Sequence, residues 1–226
     1  MNPDLRFEMK YVLAASEADE GLRWVEGMRE MRPEFPARSV NSVYFDTYDR
    51  RFARESDEGN VDRIKPRLRW YAPERGTASA GTEVVLELKC KRGACGFKHR
   101  ATAGGLGDDP RELLQRGLLS GVGHPAFRSM MSLPLFPMLR VQYLRRYFAG
   151  ADGIRVTVDT MLRFSDPGDP CGFGAAAPFE ACVIEVKFAP WALGKAAHLA
   201  SALRSSPRRF SKYATGLRAL NGYERG

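Results

Sequence analysis

The chain has 226 residues, 44% of them apolar and 27% charged, with a mean hydropathy of −0.36. That length is ample for a buried core, and the composition excludes a helical membrane protein and wholesale disorder. Lys and Arg total 35 against 27 Asp and Glu, a formal charge of +8 and a pI near 9.5, which points to an anionic partner: nucleic acid, nucleotide, polyphosphate or lipid headgroup.

In chain order, period-two alternation predicts a first strand at Phe7–Val12. Helical spacing of Leu22, Val25 and Met28 predicts a helix from Ser16 to about Met31. Four strands follow, at Ser39–Asp46, Arg63–Tyr71, Val84–Lys91 and Phe97–Thr102. Asp109-Pro110 opens a helix through Arg111–Leu119, since Pro suits the first turn. Strands at Met138–Phe148, Ile154–Phe164 and Cys182–Phe188 come next, then helices at Ala192–Arg204 and Tyr213–Leu220. Pro73–Thr82, Gly104–Pro110 and Ser165–Pro178 read as loops, and Gly104-Gly105-Leu106-Gly107 lacks the ending of a P-loop. The expectation is a single α+β domain over residues 1–226, dominated by antiparallel sheet. The N-terminus shows no apolar signal stretch, and no window could span a bilayer. Cys90, Cys95, Cys171 and Cys182 read as reduced thiols of a cytoplasmic protein.

Side chains two apart on a strand share a face. Glu8 and Lys10 oppose Phe7, Met9 and Tyr11. Lys65, Arg67 and Arg69 oppose Leu68 and Trp70, and Glu87 and Lys89 oppose Leu86 and Leu88. Arg155, Thr157 and Asp159 oppose Ile154, Val156 and Val158, and Glu185 with Lys187 opposes Ile184, Val186 and Phe188. A solvated sheet also has one dry and one wet face. Here, however, the wet faces hold mostly Lys and Arg rather than Thr, Ser or Gln. Curled together, they would line a closed barrel with its apolar faces outward under helices.

The inward set is then ten cations (Lys10, Lys65, Arg67, Arg69, Lys89, Lys98, Arg100, Arg145, Arg155, Lys187) and four carboxylates (Glu8, Glu87, Asp159, Glu185). So many like charges in one space call for a polyanion. Arg forks match phosphate oxygens, and Lys supplies point charges. The carboxylates suit Mg²⁺ or Mn²⁺, which bind through a few carboxylates plus substrate phosphate. Trp24, Trp70 and Trp191 read as packing residues, and His99 as a solvated or satisfied histidine. The basic run Arg204–Arg209, next to Lys212, reads as an entrance to the barrel.

Several segments in this order carry a family likeness: Arg6-Phe7-Glu8-Met9-Lys10-Tyr11, Ser42-Val43-Tyr44-Phe45-Asp46-Thr47, Lys65-Pro66-Arg67-Leu68-Arg69-Trp70-Tyr71 and Leu86-Glu87-Leu88-Lys89. Tyr143-Leu144-Arg145, Arg155-Val156-Thr157-Val158-Asp159, Ile184-Glu185-Val186-Lys187 and Phe210-Ser211-Lys212-Tyr213 complete them. Together, from Arg6 to about Leu220, they resemble the VTC domain. This is the polyphosphate polymerase module of the vacuolar transporter chaperone complex, within the triphosphate tunnel metalloenzyme group. The resemblance implies a tunnel of eight antiparallel strands that binds a nucleoside triphosphate or polyphosphate with Mn²⁺ or Mg²⁺. By position it implies phosphate binding by Lys10, Arg67, Arg69, Lys89, Lys98, Arg145 and Arg155. It implies a metal-coordinating Glu185, a second metal or orienting carboxylate at Glu8, and basic residues at a tunnel mouth, Lys212 with Arg209 beside it. Arg6 stands where the triphosphatase and adenylyl cyclase branch usually opens Glu-x-Glu-x-Lys, and so matches the VTC form.

The functional expectation is a polyphosphate polymerase that transfers the γ-phosphoryl group of ATP to a growing chain. Arg67, Arg69, Arg145, Arg155 and Lys89 serve the transfer, Lys10, Lys65, Lys98, Lys187, Arg209 and Lys212 hold substrate, and Glu185, Glu8 and Asp159 hold metal. A triphosphatase or polyphosphatase on the same scaffold, or a polyphosphate-binding module without turnover, remain alternatives. Nucleic acid is not expected, because the aromatics mostly oppose the cations rather than interleave with them. The SPX domain and membrane helices of the eukaryotic assembly have no counterpart in this sequence, which leaves open a separate membrane partner.

Overall fold

Alternating ionic and apolar side chains make two-faced strands, and the computed structural model assembles them into one antiparallel sheet. It describes residues 6–93, 95–150, 152–168, 177–203 and 205–221. Among these, the strands are β1 (Phe7–Ala14), β2 (Met31–Asp46), β3 (Asp62–Pro73), β4 (Glu83–Arg92), β5 (Cys95–Gly105), β6 (Phe136–Gly150), β7 (Arg155–Ser165), β8 (Ala177–Phe179) and β9 (Ala181–Phe188). Their order is β1-β9-β7-β6-β2-β3-β4-β5, with β8 paired on β7. All eight predicted strands form. β2 begins earlier than predicted, because Pro33, Pro36 and two register shifts mask its alternation. β8 forms at the end of the segment predicted as a loop from Ser165 to Pro178; residues 169–176 of that loop, with Cys171, lie outside the described residues.

The predicted closed barrel is corrected in one respect. No ladder joins the edge strands β1 and β5; they meet at a single bridge, where the Gly96 N–H donates to the Arg6 carbonyl at 3.3 Å.

The helices are α1 (Ala18–Glu26), α2 (Arg51–Asp57), α3 (Pro110–Ser120), α4 (Pro125–Met131), α5 (Leu193–Ala200) and α6 (Lys212–Asn221). α1 stops at Gly27 rather than running to Met31, where β2 begins. α5 ends at Ala200, and Arg204 lies outside the described residues. α2 and α4, seven residues each, are too short to show a helical period and were not predicted. Capping accounts for both. His124 Nδ1 accepts from the Ala126 N–H at 3.1 Å at the start of α4. Asp46 accepts from the N–H groups of Thr47, Phe52 and Ala53 at 2.8, 2.9 and 3.0 Å, and from the Tyr213 hydroxyl at 2.7 Å. One buried carboxylate thus fastens β2, α2 and α6 together.

The apolar face of the sheet is covered in two places. α3 and α4 cover Leu68, Trp70, Leu86 and Leu88, while α1 and α5 cover Val156, Val158, Ile184, Val186 and Phe188. At Gly117 in α3 a Cβ would sit 2.7 Å from Leu86 Cβ, so only glycine allows that approach. α6 behaves differently. Its Tyr213 and Leu217 pack on Val12, Tyr44, Val141 and Val183. By register, Val12 and Val183 stand in line with Asp159, on the ionic face. α6 therefore fills one end of the concave side. Trp191, expected to pack, is instead 76% exposed, because it sits in the short turn Pro190–Ala192 before α5. Among the described residues no helix is long and apolar enough to cross a membrane.

Candidate functional site

Directly opposed residues share a face, so the registers decide which side chains converge. Across β1 and β9, Glu8 faces Lys187 and Lys10 faces Glu185. Across β9 and β7, Lys187 faces Arg155 and Glu185 faces Thr157. Arg145 faces Asp159 on one side and Arg38 on the other. Ser42 faces Arg69, and Tyr44 faces Arg67. Lys65 faces Lys89, which faces Lys98, and Arg67 faces Glu87, which faces Arg100. All ten predicted inward cations therefore share one face. That face is concave, because contacts jump over intervening strands. Arg69 Nη2 donates to the Tyr143 hydroxyl at 3.1 Å across β2, and Arg145 lies 3.6 Å from Glu185 across β7. Lys89 on β4 reaches within 3.8 Å of Glu8 on β1.

Two carboxylates accept three or more hydrogen bonds each. Asp159 is fully buried, accepts Nε and Nη2 of Arg145 at 2.6 Å each, and accepts Lys212 Nζ at 2.6 Å. Burial pushes its pKa up, but Arg145 and Lys212 more than offset this and hold it ionised. Glu87 accepts Nε and Nη2 of Arg67 at 3.0 and 2.6 Å through Oε2, and Arg100 Nε at 2.9 Å through Oε1. Arg69 and Lys98 stand 3.6 and 3.4 Å from it. These three hydrogen bonds make Asp159 an anchor for Arg145 and Lys212 and leave only one side of Oδ1 for the metal role expected of it. Glu87 plays the same part for Arg67.

Glu8 and Glu185 are different. The Glu185 carboxylate is ringed by Lys187 at 3.0 Å, Lys212 at 3.5 Å, Arg145 at 3.6 Å and Lys10 at 3.8 Å. These cations, led by Lys187, outweigh its burial and hold its pKa well below the usual range. Glu8 Oε1 is buried 3.0 Å from Lys10 Nζ, which also donates to the Phe210 carbonyl at 2.9 Å, and it has no other hydrogen-bond partner among the described residues. Two ionised carboxylates with lone pairs to spare fit one Mg²⁺ or Mn²⁺ whose shell a phosphate completes. Among the described residues no cluster of three or more His, Cys, Asp or Glu could hold an ion unaided.

Lys65, Lys89 and Lys98 form a row of directly opposed like charges, an arrangement that destabilises a sheet. Lys65 Nζ donates to the hydroxyls of Ser56 and Ser211 at 2.7 Å each, with no ion pair to a carboxylate among the described residues. Burial, then Lys89 and Lys10, push its pKa far down. For Lys89, Glu8 pulls upward, but Lys10 and burial together push it down to about 7. Burial pushes Lys98 down to about 8 against the pull of Glu87.

Other predicted site residues fall at the margins. Arg155 is half-exposed at the rim and pairs with Glu34 at 2.8 Å, and Lys187 is partly exposed beside Glu185. Arg209 is exposed, its guanidinium packed against Gly59 beyond α2 and within electrostatic reach of Arg63 and Lys91, the opposed pair that follows Lys65 and Lys89 at the end of their row. Several contributors were given no role in the sequence reading. Tyr44 accepts from Arg67 Nη1 at 2.8 Å, Ser42 from Arg69 Nε at 3.2 Å, and Tyr143 and Ser211 join as above. For Ser42, Tyr44 and Tyr143 the signal is the same two-residue period that carries the arginines, whereas Ser211 lies just before α6, outside any strand. His99 lies outside the face, its ring centroid 3.8 Å from that of His124. Cys90 and Cys182 are buried thiols, pushed up to about 11 and about 12 by burial, and so inert.

A family model described as the VTC domain matches residues 5–221. Among solved structures, the Pyrococcus horikoshii OT3 protein PH1819 is similar at 15% identity and a TM-score of 0.52, covering 95% of this chain and 99% of its own. A candidate adenylate cyclase from Vibrio parahaemolyticus is similar at 14% identity and a TM-score of 0.52, covering 94% of this chain and 98% of its own. At these identities the likeness is one of fold. No curated protein sequence matches.

Proposed function

This chain belongs to the VTC domain family, and on that premise we propose that it is a metal-dependent phosphotransferase extending inorganic polyphosphate from ATP. The observation that supports this most is the set of buried guanidinium groups of Arg67, Arg69 and Arg145 on one concave face, each already oriented by a carboxylate, hydroxyl or both. Preoriented forks suit phosphate oxygens and pay little reorganisation cost when charge moves between them.

On this reading the face works as a tunnel, bridged once at the β1–β5 seam and stoppered at one end by α6. The triphosphate of ATP lies along it. Arg67, Arg69 and Arg145 grip the transferring group, Lys10, Lys65, Lys89, Lys98 and Lys187 hold flanking phosphates, and Lys212 adds a fixed charge at the stoppered end. Glu185 and Glu8 would hold Mg²⁺ or Mn²⁺, which supplies charge neutralisation on the phosphate oxygens. The acceptor, a terminal phosphate of the growing chain, is ionised near pH 7, so no general base is needed. Arg6, in place of a further acid at the start of β1, supports the polymerase over a hydrolase. We place the activity in one domain of a reducing cytoplasm, where ATP is at hand, with a membrane partner free to collect the product.

The test is to incubate the protein with ATP and Mn²⁺, with and without a pyrophosphate primer, and to resolve products by gel and ³¹P NMR. A ladder of long chains with ADP is the expected result. Orthophosphate without chains would reassign the protein as a hydrolase, and tight triphosphate binding without turnover as a binding module.

A further inference from the structure

The end of the concave face away from α6 carries a cation that the sequence reading left out. Arg38 stands directly opposite Arg145 in the β2–β6 register, so two guanidinium groups are cross-strand neighbours. Arg145 is committed to Asp159 and Glu185. Arg38 makes no ion pair among the described residues. It is nonetheless held in place. Its guanidinium carbon lies 4.0 Å from the centroid of the Tyr71 ring and 4.9 Å from that of Tyr147, and its Nε donates to the Tyr147 hydroxyl at 3.1 Å. Exposed Phe35 closes the cage at 5.6 Å. Stacking and one hydrogen bond fix the plane of the fork and leave both Nη atoms without a protein acceptor among the described residues. Glu34, four residues before Arg38 on β2, pairs with Arg155 at 2.8 Å.

We propose that Arg38, caged by Tyr71 and Tyr147, is a rim subsite for a phosphate group of a chain that runs out of the open end of the face. Opposed like charges on a sheet are unfavourable, and an oriented guanidinium with free donors at the mouth of a phosphate site matches the next phosphate along. The ligand chemistry is a phosphate oxygen, supplied either by a long inorganic chain or by the α-phosphate of a nucleotide. This rests on the reading of the interior as a phosphate site.

The experiment measures affinities of wild type and Arg38→Gln for pyrophosphate, tripolyphosphate, ATP and long-chain polyphosphate by titration calorimetry at fixed salt, with melting curves as the folding control. Long-chain affinity is expected to fall about tenfold in the variant while pyrophosphate affinity holds. A matching loss for ATP alone would identify the nucleotide as the source of the rim phosphate, and a loss for the long chain alone the inorganic chain. Equal losses for every ligand would overturn the subsite, because they would report only a weaker overall field. Unchanged affinities would overturn it as well. If wild type binds no tripolyphosphate, the interior reading falls and the subsite with it; if wild type binds and the variant matches it, the subsite alone falls. Should Arg38→Gln fail to fold, Tyr147→Phe keeps the ring and removes the acceptor that orients Nε. A drop in long-chain affinity of about twofold is then expected, and no drop would overturn the proposal.

Discussion

Two corners of the concave face hold buried carboxylates among cations, and they are built to opposite specifications. At the β6–β7–α6 corner, Asp159 takes three hydrogen bonds of 2.6 Å from Arg145 and Lys212. At the β1–β9 corner, Glu185 has four cations at 3.0–3.8 Å, and none of them donates a hydrogen bond to it among the described residues. The first corner is tied by hydrogen bonds and the second is not. A buried carboxylate held this way serves position: it fixes the plane of the Arg145 fork through Nε and Nη2 and leaves the remaining N–H donors of that fork for a ligand. A buried charge that is only surrounded keeps lone pairs for something else. The contrast separates a carboxylate that builds the site from one left for a metal, although Arg145 and Lys212 stand beside both.

The largest expected effect comes from breaking the hydrogen-bonded corner. Asp159→Asn leaves Arg145 and Lys212 buried with Glu185 as their one remaining neighbouring carboxylate among the described residues, and removing one partner of such a group costs about 3–5 kcal/mol. Urea denaturation measures it. Lys212 is the first residue of α6, so the loss should come with loosening of that helix, read as faster amide exchange across residues 212–221. A variant as stable as wild type would show that the corner is not the anchor described here.

Breaking the other corner should spare the fold and stop the reaction. Glu185→Gln removes a charge that no hydrogen bond fixes, so a stability loss of about 1–2 kcal/mol is expected, below that of Asp159→Asn. Metal-dependent turnover should fall by at least about a hundredfold, measured as ADP release against Mn²⁺ concentration. Unchanged metal dependence would remove Glu185 from the metal set. The pair of variants sharpens the comparison, because composition alone predicts similar behaviour at both sites.

The period of two carried most of this architecture. It put Glu8 and Lys10, Arg67 and Arg69, Glu87 and Lys89, and Glu185 and Lys187 on a common face, and the registers place them there. It could not distinguish Asp159 from Glu185. Each is an acid on the inward side of a strand, and the difference lies in α6, which brings Lys212 to Asp159 from 53 residues away. Nor could it find α2, whose helical start depends on Asp46 reaching six and seven residues ahead. Arg38 was missed because Pro33 and Pro36 obscure the front of β2, although Arg38, Val40, Ser42 and Tyr44 continue one inward row. The companion row Tyr143, Arg145 and Tyr147 on β6 was legible as a pattern, but its role depended on what stood opposite.

A third region, the lysine row, sharpens the comparison most finely, through pH. Burial pushes Lys98 down to about 8 in the folded protein, from a usual value of 10.5. Between those two values the unfolded chain carries the extra proton. Stability therefore rises with pH as Lys98 titrates through about 8, which is the sign for a base whose folded pKa is depressed. The charged form is penalised in the fold and favoured by a phosphate, so ligand binding should respond in the opposite direction and weaken over the same range. Lys98→Met isolates both effects. From about pH 7.5 to 9, wild type should gain stability relative to the variant, and its advantage in tripolyphosphate affinity should shrink by a few-fold. Taking the difference between the two proteins cancels the titration of the ligand itself. Parallel curves for wild type and variant would mean that Lys98 keeps its ordinary charge and that the row is spaced by solvent rather than waiting for an anion.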